Sequence, residues 1–178
     1  MSQLTPAIED QPICADCGLC CDGTLFPFVQ LAENEPPIPP MQPAPDTALR
    51  TFQQPCPHYR GTSSVYATRP QMCRTYVCDL LKGVMAEEVS TKDARDVIAR
   101  MKFLRDQLAT LLGGPKGSLR RAGRDLKQRA MDTPKPLEFR VHHARALTAL
   151  ALFEGLIAEA FDSTGSSAPM DQISQQDT

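Results

Sequence analysis

Clustered cysteines are the residues of this chain with the most informative chemistry. All seven cysteines lie in the first half of the 178 residues, at Cys14, Cys17, Cys20, Cys21, Cys56, Cys73 and Cys78. Thiolates are soft ligands that select zinc, copper(I) or iron–sulfur clusters. Because no export signal is visible at the start, we expect a cytoplasmic, reducing setting, where such cysteines bind metal more often than they form disulfides. We therefore interpret all seven as candidate metal ligands.

The first four cysteines follow the spacing C-x2-C-x2-C-C, which is typical of a metal-ligand loop. A C-x2-C pair lets one turn present two sulfurs to one metal ion. Three cysteines spaced in this way also resemble the loop with which bacterial ferredoxins wrap a 4Fe–4S cluster. Gly18 and Gly23 supply the backbone freedom that tight ligand turns need. Seven thiolates are more than one tetrahedral metal site takes, so the number of metal sites stays open. His58 is a weaker candidate for a zinc ligand.

A second motif surrounds the later cysteines. It consists of Cys56-Pro57 and the run Tyr66-x2-Arg69-Pro70-x2-Cys73-Arg74-x-Tyr76-x-Cys78. With the C-x2-C-x2-C-C run, it resembles the YkgJ-type CxxCxxCC cysteine-cluster family, a zinc- or iron-chelating domain, over residues 14 to about 80. The resemblance implies metal chelation. Flagellin lysine N-methylases carry a similar motif that holds an iron–sulfur cluster, which favours iron over zinc.

One position departs from this family pattern. Many members carry a cysteine three residues before the motif tyrosine, where this chain has Ser63. Either Cys56 or Cys78 compensates for the missing thiolate, or the site has one ligand fewer.

Two arginines flank Cys73 in this motif. A guanidinium beside several thiolates offsets their negative charge and donates hydrogen bonds to sulfur, which orients ligands and tunes a redox potential. We predict that Arg69 and Arg74 play this cofactor-binding role around the ligands. The alternative for Arg69 is a surface ion pair, because residues 1–80 carry eight acidic residues against four basic ones.

Composition divides the chain into regions that must position these residues. We predict a flexible arm at 1–12, a cysteine-cluster metal-binding region at 13–82 with a proline-rich insert at 34–47, a helical region at 83–161 and a disordered tail at 162–178. Apolar residues at helical spacing predict a first long helix that begins with a cap at Ser90 and stops at Gly113. A second, basic helix is predicted at 117–131. A third, from about Leu137 to Phe161, is apolar over most of its circumference and is expected to be a buried central helix.

These patterns predict a mainly α fold with an irregular, loop-rich cysteine-cluster region, in which a small metal-stabilised domain packs on antiparallel helices. The cofactor is an iron–sulfur cluster, with 4Fe–4S favoured, or zinc. The expected role is redox, electron transfer or metal handling. The alternatives are a structural zinc module that binds a protein partner through its helices, and an iron–sulfur-dependent group-transfer enzyme.

Composition also bears on other partners. With 42% apolar residues and no apolar stretch of spanning length, the chain is not expected to enter a membrane. The basic run from Lys116 to Arg129 has no interleaved aromatic residue. It is therefore interpreted as a solvated or intramolecular face rather than a nucleic-acid interface.

Overall fold

The computed structural model describes residues 12–36, 38–40, 50–114 and 119–162. Over these residues the fold is mainly helical, with seven α-helices and a two-stranded antiparallel sheet, which confirms the predicted class. The helices are α1 (Pro12–Cys17), α2 (Gln71–Thr75), α3 (Asp79–Met85), α4 (Thr91–Leu111), α5 (Leu119–Asp132), α6 (Pro136–His142) and α7 (Ala144–Ala160). The strands are β1 (Phe28–Gln30) and β2 (Thr51–Gln53), and a short 3-10 helix spans Tyr66–Thr68.

Helix α4 follows its sequence pattern closely. The Ser90 hydroxyl accepts a hydrogen bond from the N–H of Asp93 over 3.0 Å, which caps the first turn as predicted. After the last residue of α4, Gly113 adopts a positive φ of 75°, as expected for a glycine that ends a helix. The buried residues of α4 share one face that packs mainly against α7. They are Ala94, Ile98, Met101 and Leu108.

The predicted third helix is two helices, so the prediction of one continuous helix was wrong. The break falls at His143, which separates α6 from α7. The Phe139 carbonyl accepts both the backbone N–H and the Nδ1 of His143, each over 2.9 Å, and the His143 ring stacks on the Phe139 ring. A side chain that bonds to the carbonyl four residues back competes with the helix, which accounts for the break.

Helix α7 is also less buried than its composition predicted. Phe153 and Leu150 lie in the core, whereas Leu152 is 52% exposed. Within the part of the chain that the structure describes, α7 contacts α4, α5 and α6, and its buried residues are Ala146, Ala149, Leu150, Phe153 and Ile157. The prediction of a buried central helix therefore holds for the face that carries Leu150 and Phe153, and it was wrong for Ala151 and Leu152, which are exposed.

Helix α5 begins at Leu119 within the described residues and approaches α7 closely. A Cβ on Gly123 would lie 2.6 Å from a methyl carbon of Leu150, so a larger residue there would force the buried Leu150 side chain to shift. On the same helix, Arg120 donates to the Leu25 carbonyl over 2.8 Å. The basic helix therefore has an intramolecular contact with the cysteine region.

The cysteine region has more regular structure than the loop-rich prediction. The sequence pattern missed α1, α2, α3 and both strands, because elements of three to seven residues are too short to show a periodicity. The strands pair antiparallel, with Val29 opposite Phe52. These two side chains are the centre of a small second core.

Several predictions lie outside the described residues. These are the arm before Pro12, most of the proline-rich insert and the tail after Asp162. Within the described part of the chain, no helix combines the length and the apolar character that crossing a membrane requires.

Candidate metal centre

Helix α1 carries the first two cysteines and ends at a required glycine. Cys14 and Cys17 lie on α1, and Gly18 follows with a φ of 71°, which favours glycine. A Cβ at this position would also overlap the ring of Tyr59. Both the backbone angle and the space therefore need glycine, in agreement with the predicted tight turn.

The turn after α1 carries Cys20 and Cys21. It closes where the N–H of Asp22 donates to the Gly18 carbonyl over 2.9 Å. The Asp22 carboxylate forms an ion pair with Arg105 of α4. The cysteine turn is thereby attached to the helical region.

The other three cysteines come from separate places in the chain. Cys56 follows β2, Cys73 lies on α2, and Cys78 directly precedes α3. Burial raises the pKa of Cys56, and the backbone N–H groups of His58 and Tyr59 partly counter that rise. Such N–H donors stabilise a thiolate, as is common for cysteines that ligate metals. The Tyr59 N–H also donates to the Cys56 carbonyl over 3.0 Å.

Six of the seven cysteines line one cavity of about 80 Å³. They are Cys14, Cys17, Cys20, Cys21, Cys73 and Cys78. Cys56 lies beside this wall, and its N–H donates to the Cys21 carbonyl over 2.7 Å. Within the described ranges, no three Cys, His, Asp or Glu side chains form a group that could hold one metal ion. The thiols are therefore distributed around the wall of a cavity.

Burial disfavours free thiolates at this cavity. Burial, followed by the charges of neighbouring thiolates, raises the pKa of Cys73 to about 12 and that of Cys21 to about 11. Burial also raises the pKa of Cys17 to about 12, and for Cys20 the same causes raise the pKa well above its ordinary value. Without a compensating cation these thiols are protonated at neutral pH, so metal binding must displace their protons.

Arg69 is a buried cation at this cavity. It is 7% exposed, its Nε donates to the Cys73 carbonyl over 3.3 Å, and its Nη1 donates to the Tyr66 carbonyl. The guanidinium carbon lies 3.7 Å from the centre of the Tyr66 ring. Its Nη2 is buried without a hydrogen-bond partner among the described residues, which include no carboxylate paired with Arg69. A buried guanidinium without a carboxylate needs another source of negative charge, and the cysteines are the groups that can supply it.

The other residues predicted at the site lie outside the cavity lining. Arg74 is exposed on α2. His58 has a buried Nε2 without a partner in the described part of the chain, but it does not line the cavity. Ser63 forms an isolated bridge with Tyr59 and is also outside the lining. The structure thus brings Arg69 to the cysteines and leaves Arg74 in solvent.

Two tyrosines, Tyr66 and Tyr76, form part of the cavity wall, which their residue type alone did not indicate. The hydroxyl of Tyr66 is buried, and burial, followed by the charge of the neighbouring Cys14, raises its pKa. Tyr76 packs edge-on against Phe26, with ring centres 4.7 Å apart, and donates its hydroxyl proton to the Phe161 carbonyl over 3.2 Å. Both tyrosines line the cavity. The only sequence signal for them was their place in the motif around Cys73.

Comparisons with known proteins add no assignment. Protein-family models give no match to this chain, and neither curated proteins nor solved structures give one. The resemblance to the CxxCxxCC cysteine-cluster family therefore stays a prediction that rests on the motif residues.

Proposed function

We propose that this chain is a metalloprotein whose cysteines hold an iron–sulfur cluster, with a role in redox chemistry, electron transfer or metal handling. The observation that carries the proposal is a single cavity lined by six cysteines and one buried, unpaired arginine. Six thiols exceed the four ligands that one zinc ion takes, which favours a polynuclear centre. The resemblance to the CxxCxxCC family supports the same chemistry.

The charges at the cavity fit such a centre. A metal centre bound by several thiolates carries net negative charge, and the guanidinium of Arg69 offsets it inside the fold. The unpartnered Nη2 of Arg69 is a free donor for a sulfur atom, and donors of this kind raise a reduction potential. The chain thus supplies both the ligands and the balancing cation.

The remaining lining residues control access of water. Apolar side chains of the main core, the one that contains Phe153 and Met101, also line the cavity beside the thiols; they include Leu19, Leu25 and Leu81. Exclusion of water strengthens electrostatic interactions between the thiolates, a bound cation and Arg69. A bound iron–sulfur cluster would supply one-electron transfer at this position.

Metal analysis of anaerobically purified protein tests this proposal. Iron and acid-labile sulfide in matching amounts, with visible absorbance that bleaches on reduction with dithionite, are expected. Stoichiometric zinc in a colourless sample would instead support the structural zinc module, and protein without bound metal would overturn the proposal.

Three arginine variants test whether Arg69 acts on the bound centre. Arg69→Met removes the buried charge and is expected to lower the reduction potential of the bound centre. Arg69→Lys keeps the positive charge, so comparison with it separates the loss of charge from a folding defect. Arg74→Met is the matched control, because Arg74 follows Cys73 but is exposed. Equal potentials in Arg69→Met and Arg74→Met would show that Arg69 does not contact the centre.

A further inference from the structure

Helix α2, which carries Cys73, is too short to be stable by itself. It spans only Gln71–Thr75, and a helix of five residues does not form in isolation. Pro70 stands at its N-cap and offers no side-chain hydrogen bond to the first turn. Because the first N–H groups of a helix have no partner within it, another part of the chain must satisfy them.

Glu35 satisfies the first N–H group of α2 from 36 residues away. Its Oε1 accepts the N–H of Gln71 over 2.7 Å. Its Oε2 accepts the N–H of Ala32 over 3.1 Å, so one half-buried carboxylate joins its own loop to the helix. A carboxylate that accepts a backbone N–H forms a charge-assisted hydrogen bond, which is stronger than a bond between neutral groups. Glu35 therefore caps α2 in place of Pro70.

Arg50 holds the loop that carries Glu35. Its Nη1 donates to the Ala32 carbonyl over 3.0 Å and also to the Glu33 carbonyl. Its Nη2 donates to the Glu35 carbonyl over 2.7 Å. The Arg50 carbonyl accepts the N–H of Leu31 over 2.7 Å, directly beside the paired strands β1 and β2. The loop is thereby fixed on the small sheet and presents Glu35 to α2 from a fixed position.

Two further contacts orient α2 between the sheet and the cavity. The sulfur of Met72 accepts the N–H of Gln30 on β1 over 3.3 Å. The Nε of Arg69 donates to the Cys73 carbonyl over 3.3 Å. Cys73 thus reaches the cavity wall from a helix that is held along its length by groups outside it, and the carboxylate of Glu35 is the group at its start.

We infer that Glu35 is the positioning residue of Cys73: through the Gln71 N–H it fixes the start of α2 and so sets where the Cys73 thiol enters the cavity. This inference rests on the proposed function, in which Cys73 is a metal ligand. A ligand two residues from a fixed backbone N–H is already in place when the metal arrives. Metal binding then does not have to supply the ordering of α2.

The hydrogen bonds of Glu35, and not its charge, carry this role. Burial is the main cause that raises the pKa of Cys73, and the charge of Glu35 adds to the rise. A negative charge near a thiol opposes its ionisation, so the charge alone would disfavour a thiolate ligand. Glu35→Gln separates the two effects, because a neutral amide oxygen still accepts a backbone N–H.

Amide exchange of the purified full chain tests the cap. In Glu35→Ala, the peptide that contains α2 should exchange at least about tenfold faster than in the wild type, because the bond to the Gln71 N–H is lost. Exchange in α4 should not change, which excludes a general loss of folding. Glu35→Gln should exchange more slowly than Glu35→Ala. Glu33→Ala is the matched control, because Glu33 is an exposed acid of the same loop, and it should match the wild type.

The order in which cysteines are released tests the effect on Cys73 itself. Metal-bound thiols resist alkylation, so mass spectrometry during chelation of the anaerobic, metal-loaded protein reports when each cysteine is freed. In Glu35→Ala, the alkylation rate of Cys73 relative to that of Cys17 on α1 should rise at least about tenfold over the wild-type ratio. Glu35→Gln should restore most of the wild-type ratio, and Glu33→Ala should keep it.

Each other outcome has a separate meaning. Exchange in Glu35→Ala that matches Glu33→Ala would overturn the inference, because α2 would not need the carboxylate. Equal behaviour of Glu35→Gln and Glu35→Ala would overturn it in favour of a role for the charge. Faster exchange in α2 with an unchanged alkylation ratio would overturn the link to Cys73. These three results leave the proposed function standing. A wild-type protein that binds no metal would overturn the proposed function, whatever the exchange of α2 shows.

Discussion

The two regions of this molecule have interiors of different chemistry. The helical region encloses large apolar side chains such as Phe153, Met101 and Leu108, each with no exposed surface. The cysteine region encloses thiols and a charged arginine around a cavity, and its own apolar core is small. Apolar burial is stabilising in itself, whereas buried thiols and an unpaired guanidinium are not. The difference teaches that the main apolar core, to which Ile13, Leu19 and Leu25 of the cysteine region also contribute, is stabilising in itself, whereas the thiol-lined cavity beside it is not.

Polar contacts attach the cysteine region to the helices. Arg105 pairs with Asp22, and Arg120 donates to the Leu25 carbonyl. At the other end of the site, the Tyr76 hydroxyl donates to the Phe161 carbonyl at the end of α7. The helical region thus acts as the support on which the cysteine region is positioned.

Removal of metal should produce the largest difference in amide exchange between the cysteine region and the helical region. When a chelator removes metal from reduced protein under anaerobic conditions, we expect amide exchange in α1 and α2 to accelerate by more than about a hundredfold, because the proposed metal centre would supply folding free energy there. Exchange in α4 and α7 should change far less. Mass spectrometry of exchanged peptides gives the measurement, and equal acceleration in both regions would contradict the comparison.

Alkaline pH should destabilise the metal-free protein. Thiol pKa values raised above the ordinary value of 9.0 mean that the folded state favours the protonated form. Below pH 9 this contribution to stability is fully present, and it is lost as pH rises from about 9 toward 12. Urea titrations at pH 8 and pH 10 should show a lower free energy of unfolding at pH 10. The metal-loaded protein is the control and should lack this loss, since its thiolates are already ionised.

Truncation of a buried side chain in the helical region tests whether its apolar core carries stability. Phe153→Ala should cost about 3–5 kcal/mol because it opens a cavity in a fully buried position. That corresponds to a fall in melting temperature of roughly 10 °C. Phe103→Ala is the control, since Phe103 is 63% exposed, and it should change stability by less than about 0.5 kcal/mol. Similar melting temperatures for both variants would show that the helical core does not carry the stability.

Gly18→Ala probes the turn that presents the cysteines. The positive φ alone should cost about 1–3 kcal/mol, and the overlap with Tyr59 adds to it. Gly61→Ala is a matched control, because Gly61 has a φ of 89° but open space at its Cβ. We expect a larger drop in melting temperature, and faster metal loss, for Gly18→Ala only. If the two variants behave alike, the contact with Tyr59 has no role in positioning the turn.

The ion pair between the regions should have the smallest effect. Arg105→Ala is expected to cost about 1 kcal/mol, because Arg105 and Asp22 are partly buried. The exposed pair of Lys92 and Asp96, with side chains 82% and 69% exposed, gives the control. Lys92→Ala should cost about 0.3–0.5 kcal/mol. Thermal melts at low and high salt compare the two variants. If both lose the same stability at low salt and neither loses any at high salt, Arg105 does not anchor the turn.

Local features were predictable from the sequence because neighbouring residues specify them. The cap at Ser90, the stop at Gly113 and the tight turn at Gly18 depend on backbone chemistry within a few residues. The break at His143 was missed because hydrophobic periodicity does not report a side chain that bonds to its own helix. The exposure of Leu152 was missed because composition does not reveal how many neighbours a helix has.

The sequence by itself determined which side chains are candidate metal ligands, since a soft thiolate has that chemistry wherever it lies in the fold. The tertiary structure decided where these side chains lie. It packs Cys20 against the main core and Cys21 against the second core, and it buries Arg69 while it leaves Arg74 exposed. The physical reason is that such choices depend on contacts between distant segments, such as the N–H of Cys56 on the Cys21 carbonyl, and residue spacing does not encode them.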